Sequence, residues 1–271
     1  MTWQALLMTV LVQWLVFAAV MAGAWLLRRR TGNSGFVDAC WSLGLGAVAA
    51  AGAIAPVASN AEPLRQGIVA GLVLLWSIRL GAQIVQRALH SEDDPRYAAL
   101  AEGWGGDAER RMFLFLQAQA AVSVPMLLAV TIAAHRPGAA PDLMDLGGIA
   151  LLLAAIAGEG IADRQLWHFR RDPANRGKVC DRGLWSWSRH PNYFFEWLAW
   201  LAYPLIAIST AGGYPIALLA LGAPVTMYVL LVHVSGIPLL EAHMLESRGD
   251  AYRRYQERTS AFFPLPPSRQ G

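Results

Sequence analysis

Apolar residues run along this chain in long blocks joined by short polar connections, rather than alternating between two faces. Seven blocks, at about 5–27, 36–57, 67–85, 113–134, 143–162, 192–210 and 214–234, each approach the ~20 residues that carry an α-helix across a bilayer. Hydrocarbon offers no partner to a free backbone N–H or C=O, so continuous blocks of this length predict helices, which satisfy those groups internally. The pattern predicts an all-α polytopic membrane protein with about seven transmembrane helices. No internal repeat and no shift in composition marks a boundary, which predicts a single integral membrane domain over 1–271. Beyond 234 the pattern changes. Leu239, Leu240, Met244, Leu245, Tyr252 and Tyr255 recur at roughly helical spacing among charges, so the tail over 236–271 is expected as an amphipathic helix at the membrane surface.

Composition points the same way: 55% hydrophobic, 15% charged and 11 Trp is too apolar for an ordinary soluble domain. The first block is longer than a signal-peptide core and ends in Arg28-Arg29-Arg30 instead of a small-residue cleavage site, so it is expected to remain as a membrane helix. A net charge of +3 would admit a nucleic-acid partner, but the placement of the charge argues otherwise. With the 28–35 connection inside, the 22 Lys and Arg all lie on the cytoplasmic side except Arg65 and Arg136, which fall outside, and Arg79, within the third block. That bias is how membrane topology is written. It places the N-terminus outside and the C-terminus in the cytoplasm, and leaves three cytoplasmic segments for chemistry: 87–112, 163–191 and the tail.

Metal chemistry finds no pattern here. Cys40 and Cys180 lack the number and spacing of a disulfide framework or zinc site, and the six histidines show none of the clustering a di-iron oxygenase needs. Gly44-x-Gly46-x-x-Ala49 imitates a dinucleotide fingerprint but sits inside a membrane block with no preceding strand, where small residues serve helix packing. More informative is the strip that follows the fifth block. Asp163, Arg164, Arg170 and Arg171-Asp172-Pro173-Ala174-Asn175-Arg176-Gly177-Lys178 can bind an anion, because guanidinium forks onto phosphate. The same strip also reads as positive-inside charge offset by local salt bridges.

In Arg189-His190-Pro191-Asn192-Tyr193 the proline suits the first turn of a helix. Asn192 and Glu196 then share a face, with Tyr193, Trp197 and Trp200 close by. An aromatic belt accounts for the rings but not for Glu196 inside the block, since an intramembrane carboxylate is costly and marks a functional candidate. Asp38 and Arg79 are candidates on the same ground, with a structural ion pair as the rival reading.

Asp163-Arg164-Gln165-Leu166, Asp172-Pro173-Ala174-Asn175-Arg176-Gly177, Gly183-Leu184-Trp185, Ser188-Arg189-His190-Pro191-Asn192-Tyr193-Phe194, Glu196 and the stretch from Tyr252 to Pro264 together resemble the bacterial DUF1295 family. That family is a branch of the superfamily of steroid 5-alpha-reductases and sterol carbon–carbon double-bond reductases. The likeness to DUF1295 covers most of the chain, and that to steroid reductases begins near Gly158. The resemblance implies a seven-helix protein of the bacterial inner membrane that holds NADPH at its cytoplasmic side. It implies cofactor contacts for Asp163, Arg170, Asn192 and Glu196. Arg164, Asn175, Arg189, His190 and Tyr193 join them, and Glu241, Tyr252 and Tyr255 of the tail cover the cofactor. The reductases' substrate-polarising Glu and Tyr lie in the N-terminal half, where Asp38 and Trp76 fall near those positions. Trp has no acidic proton, so Asp38 is expected to be the neutral acid that polarises the carbonyl of a steroid-like or isoprenoid enone. Isoprenylcysteine and phospholipid methyltransferases share the Arg-His-Pro-x-Tyr element and a Glu, Leu and paired tyrosines, here Glu241, Leu245, Tyr252 and Tyr255, but use S-adenosylmethionine. Seven Lys and Arg before Asn192 suit a cofactor with three phosphates better than one with a single carboxylate, which ranks a reductase first. A membrane scaffold or small-solute carrier, with Asp38, Arg79 and Glu196 in structural pairs, is the third expectation.

Overall fold

The computed structural model describes residues 2–90, 94–208 and 212–268. They form an all-helical protein with no strand among the described residues. The helices are α1 (Trp3–Thr31), α2 (Gly35–Ile54), α3 (Pro63–Ala88), α4 (Pro95–Trp104), α5 (Ala108–Val122), α6 (Val124–Ala134), α7 (Leu143–Arg171), α8 (Pro191–Trp200), α9 (Ala202–Ala207), α10 (Gly222–Val229), α11 (Ile237–Arg248) and α12 (Asp250–Arg258). Among the described residues six helical stretches are long and apolar enough to cross a membrane: Trp3–Thr31, Gly35–Ile54, Pro63–Ala88, Arg96–Ala134, Leu143–Arg171 and Pro215–Arg248.

The block at 192–210, expected as a seventh spanning helix, is instead two short helices that break at Leu201, and its positions 209 and 210 lie outside the described residues. Pro204 gives the reason. It has no N–H to bond the Trp200 carbonyl, and its ring crowds that turn. Pro125 divides the fourth block at Ser123 in the same way, into α5 and α6. The connection after the third block holds a helix of its own, α4, whose Asp94 cap accepts a hydrogen bond from the Arg96 N–H. The tail is two helices separated at Gly249 rather than one, and α12 buries Tyr252 and Tyr255. Arg269, counted with the cytoplasmic charge, lies outside the described residues.

The chain divides into two compact units. One comprises Met1–Gly147 and Tyr203–Ala223. Its core is the α2–α3 pair, and here the imitation fingerprint resolves as packing: a Cβ on Gly46 would fall 2.1 Å from that of Ser77, whose hydroxyl donates to the Ser42 carbonyl. The same unit explains the two arginines that depart from the charge bias. Arg65 and Arg136 are both buried, Arg65 forking onto Asp145 through two 2.8 Å hydrogen bonds and Arg136 onto Asp142 at 2.6 and 2.8 Å. Arg65 also donates to the carbonyls of Arg136, Gly138 and Ala139. The hydrogen bonds from Arg136 hold the Asp142 carboxyl below its usual range. These two cations add little net positive charge where they lie, because their counter-charges are folded in with them.

The second unit comprises Gly148–Ala202 and Pro224–Gly271. Here α7 continues nine residues past its expected end at 162, to Arg171, about 13 Å of additional helix. Asp163, Arg164 and Arg170 thus stand on a rigid rod rather than in a loop.

Candidate functional site

The twelve residues expected around a cofactor all lie in the second unit, and Asp38 and Trp76 lie in the first. In the second unit, the segment leading into α8 is strapped to the tail. The Arg189 side chain forks onto Glu241, Nε to Oε1 at 2.7 Å and Nη2 to Oε2 at 3.2 Å, while Nη1 donates to the carbonyls of Gln256 and Thr259. The Arg189 N–H donates to the Ser260 carbonyl at 2.8 Å, Ser188 Oγ to that of Phe262 at 2.8 Å, and the Tyr255 hydroxyl to that of Trp185. Phe262 and Phe263 then pack edge-on against Phe194 and Trp197 of α8. Arg189, Glu241 and Tyr255, expected at a ligand, therefore hold one another and fix the tail. Tyr252 lies buried beside them, and that burial pushes its hydroxyl well above the usual value.

His190 completes this knot. Its Nε2 lies 2.9 Å from Glu241 Oε1, so that nitrogen carries the hydrogen, and its ring stacks on Tyr193 with centroids 5.5 Å apart. Burial holds the imidazole below its usual value, against the opposing pull of Glu241. Nδ1 is buried and meets no hydrogen-bond partner among the described residues. In the first turn of α8, Asn192 is half-buried, and none of the described residues hydrogen-bonds its amide; Glu196, four residues on, is buried and accepts from Trp200 Nε1 at 3.1 Å. Asn192 and Glu196 thus stand four residues apart on α8, with the Asn192 amide unbonded among the described residues.

The rod end of α7 and the turns after it enclose a cavity of about 380 Å³. Gln165, His168 and Phe169 line one side, and Asp172, Asn175, Cys180, Arg182 and Gly183 the other. Gln165 positions the far wall: its Oε1 accepts from the Leu184 N–H at 2.9 Å, and its amide lies 2.6 Å from where a Cβ on Gly183 would project. Gly183, at φ +59°, is a glycine on both counts. Asn175 is buried, donating to the Phe169 carbonyl at 3.1 Å and closing the last turn of α7. Burial pushes the Cys180 thiol up, which leaves it a poor nucleophile.

Asp172 is the carboxylate of this lining, and no cation of the neighbouring segments pairs with it among the described residues. Among the described residues Arg164, Arg171, Arg176, Lys178 and Arg182 are exposed and have no carboxylate within ion-pair reach. Arg171 lies over the Trp167 ring at 4.1 Å and Arg182 over Phe169 at 5.9 Å, contacts that orient the guanidiniums without neutralising them. Sequence reasoning missed Gln165, His168 and Arg182 as lining residues, because only the turn at Gly183 folds 182–184 back onto α7.

In the first unit Asp38 is an acceptor. Its Oδ1 takes the Tyr97 hydroxyl at 2.7 Å and its Oδ2 the Arg96 guanidinium at 2.5 Å. Gln119 Nε2 lies 3.3 Å from the Tyr97 oxygen. Trp76 is buried edge-on to Trp41, whose Nε1 donates to Ser123 Oγ at 3.0 Å. Tyr97 is the residue sequence reasoning overlooked, and Asp94-Pro95 as a helix start was the signal that could have found it.

A family model described as a protein of unknown function, DUF1295, matches residues 24–259. No curated protein and no solved structure matches the chain.

Proposed function

The chain belongs to the DUF1295 family, and we propose that it is an integral membrane reductase that binds NADPH and reduces the conjugated double bond of a lipophilic enone. One observation carries the cofactor half of this reading: Arg182 lines a cavity at the end of α7, and Arg164, Arg171, Arg176 and Lys178, on the segments that bound it, are exposed with no carboxylate within ion-pair reach among the described residues. Such a cluster is unfavourable by itself and becomes favourable when phosphate oxygens supply the missing charge. NADPH brings three phosphates, and S-adenosylmethionine one carboxylate, so the cluster suits the former. Arg164, Arg170, Arg171, Arg176 and Arg182 would hold the phosphates, Asn175 and Asp172 the sugar hydroxyls, and the open Asn192 amide, beside Glu196, the nicotinamide amide. Arg189, His190, Glu241, Tyr252 and Tyr255 take part by holding the tail as a cover. When bound, NADPH supplies the hydride.

The substrate half is a separate proposal on the first unit taken by itself, and it rests on Asp38 and Tyr97. Conjugate reduction needs a proton held at the carbonyl, and the Tyr97 hydroxyl is oriented by Asp38 Oδ1 with Arg96 on Oδ2. In this reading Tyr97 holds the proton and Asp38 fixes its direction, a change from the neutral acid expected of Asp38. A lipophilic substrate reaches a protein of this kind through the bilayer.

The test is thermal stabilisation of the detergent-purified full chain by NADPH, NADH or S-adenosylmethionine. A ligand that binds only the folded state at 100 times its Kd adds about 2.7 kcal/mol. NADPH is expected to stabilise most. Stabilisation by S-adenosylmethionine alone overturns the reading in favour of a methyltransferase, and no response to any of the three leaves a scaffold or carrier.

A further inference from the structure

A second group of cations lies in the first unit, where the end of α1 meets the start of α5. Trp25 and Arg28 make the join: Trp25 Nε1 donates to the Glu109 carbonyl at 3.2 Å, its ring meets Phe113 edge-on at 5.4 Å, and Arg28 Nη1 pairs with Glu109 Oε1 at 2.8 Å. This sets the segment Arg28-Arg29-Arg30 against the start of α5, the segment that carries Arg110 and Arg111, with Asp107 and Glu109 as the acidic residues of the two helix ends. Glu109 is taken by Arg28 and lies 3.5 Å from Arg29, whose guanidinium covers the Trp25 ring at 4.8 Å. Arg30, Arg110 and Arg111 are exposed and have no carboxylate partner among the described residues. Directly along the same helices, Leu26, Leu27 and Leu114 are exposed at 47%, 37% and 54%. On membrane-spanning helices such leucines face acyl chains.

A surplus of guanidinium bordering lipid-facing leucines, with a tryptophan at the boundary, matches the two halves of one molecule: an anionic headgroup above and hydrocarbon below. Free phosphate would satisfy only the first half. We propose that this junction is a binding site for an acidic phospholipid, its phosphate held by Arg29 and Arg110 with Arg30 and Arg111 beside it, and its chains against Leu26, Leu27 and Leu114. Arg28 is the structural member, since its guanidinium is taken by Glu109 and by Ser34 Oγ at 3.0 Å. The site is independent of the cofactor reading.

Native mass spectrometry and melting of the detergent-purified full chain test it, with phosphatidylglycerol, phosphatidylcholine and inorganic phosphate as probes. Phosphatidylglycerol is expected to be retained and to stabilise, and the other two not. Arg29→Gln with Arg110→Gln should weaken retention about fivefold per arginine, or about 25-fold together, while Arg253→Gln with Arg254→Gln on α12 leaves it unchanged. Equal retention of phosphatidylcholine, undiminished phosphatidylglycerol on the double variant, or stabilisation by phosphate matching that by phosphatidylglycerol overturns the proposal. If the double variant does not fold, the three-probe comparison on the native sequence still decides.

Discussion

Arg189 and Glu241 grip each other through two hydrogen bonds at 2.7 and 3.2 Å across 52 residues of sequence. Their side chains are 11% and 13% exposed, so the pair is largely withdrawn from water, and His190 and Gln256 donate to the same carboxylate. Removing one member leaves the other charged, nearly buried and without its counter-charge.

Glu241→Ala is therefore expected to cost about 3–5 kcal/mol. The loss should appear first as protease access at the α11–α12 tail and then as a lower Tm. In a double-mutant cycle with Arg189→Ala the coupling should reach about 1–3 kcal/mol. Additive losses would mean that the two residues act separately.

The knot should also loosen in acid. Burial lowers the His190 value in the folded state, so the unfolded chain takes up the proton first. Stability is then highest above about pH 6.5, the unfolded value of histidine, and declines as pH falls below it. Arg189 adds to the penalty for a charged imidazole and Glu241 opposes it. Tm of the full chain between pH 8 and 5 should show this slope, and His190→Gln should flatten it.

Arg65→Met leaves Asp145 buried and without the arginine that forks onto it. A loss of about 3–5 kcal/mol in stability is expected, measured by thermal unfolding in detergent. Asp145→Asn keeps the shape but removes the charge facing two arginines, and should also destabilise.

Arg182→Gln should weaken NADPH binding by about 1–3 kcal/mol with little change in the melting of the unliganded protein, because Arg182 is exposed and has no ionic partner to lose. NADPH titration followed by Tm reads both at once. Unchanged binding would remove the cavity from the cofactor site.

Tyr97→Phe should leave NADPH stabilisation intact and lower turnover of an enone substrate about 100-fold or more, the contribution of a positioned acid. Asp38→Asn, which keeps the shape and loses the charge facing Arg96, should lower turnover as well. Full turnover in Tyr97→Phe would place the proton elsewhere.

The sequence by itself determined the helical class and most of the helix positions, because in hydrocarbon a run of apolar residues has essentially one way to satisfy its backbone. It also determined where α8 starts, since Pro191 favours a first turn, and that Glu196 is out of place in an apolar block. Only the tertiary structure decided which charges remain available. Arg189 reads as equivalent to Arg164 and Arg182 along the chain, yet it is taken by a carboxylate 52 residues away and they are not, and the partners of Arg65 and Arg136, 80 and 6 residues away, are equally unannounced. Likewise Tyr97 comes to Asp38 across 59 residues, through a helix that no apolar block announces. Hydrophobic patterning is local and periodic and so can be read in order, whereas ion pairing depends on which distant segments the packing brings within 3 Å, and that is not written at any one position.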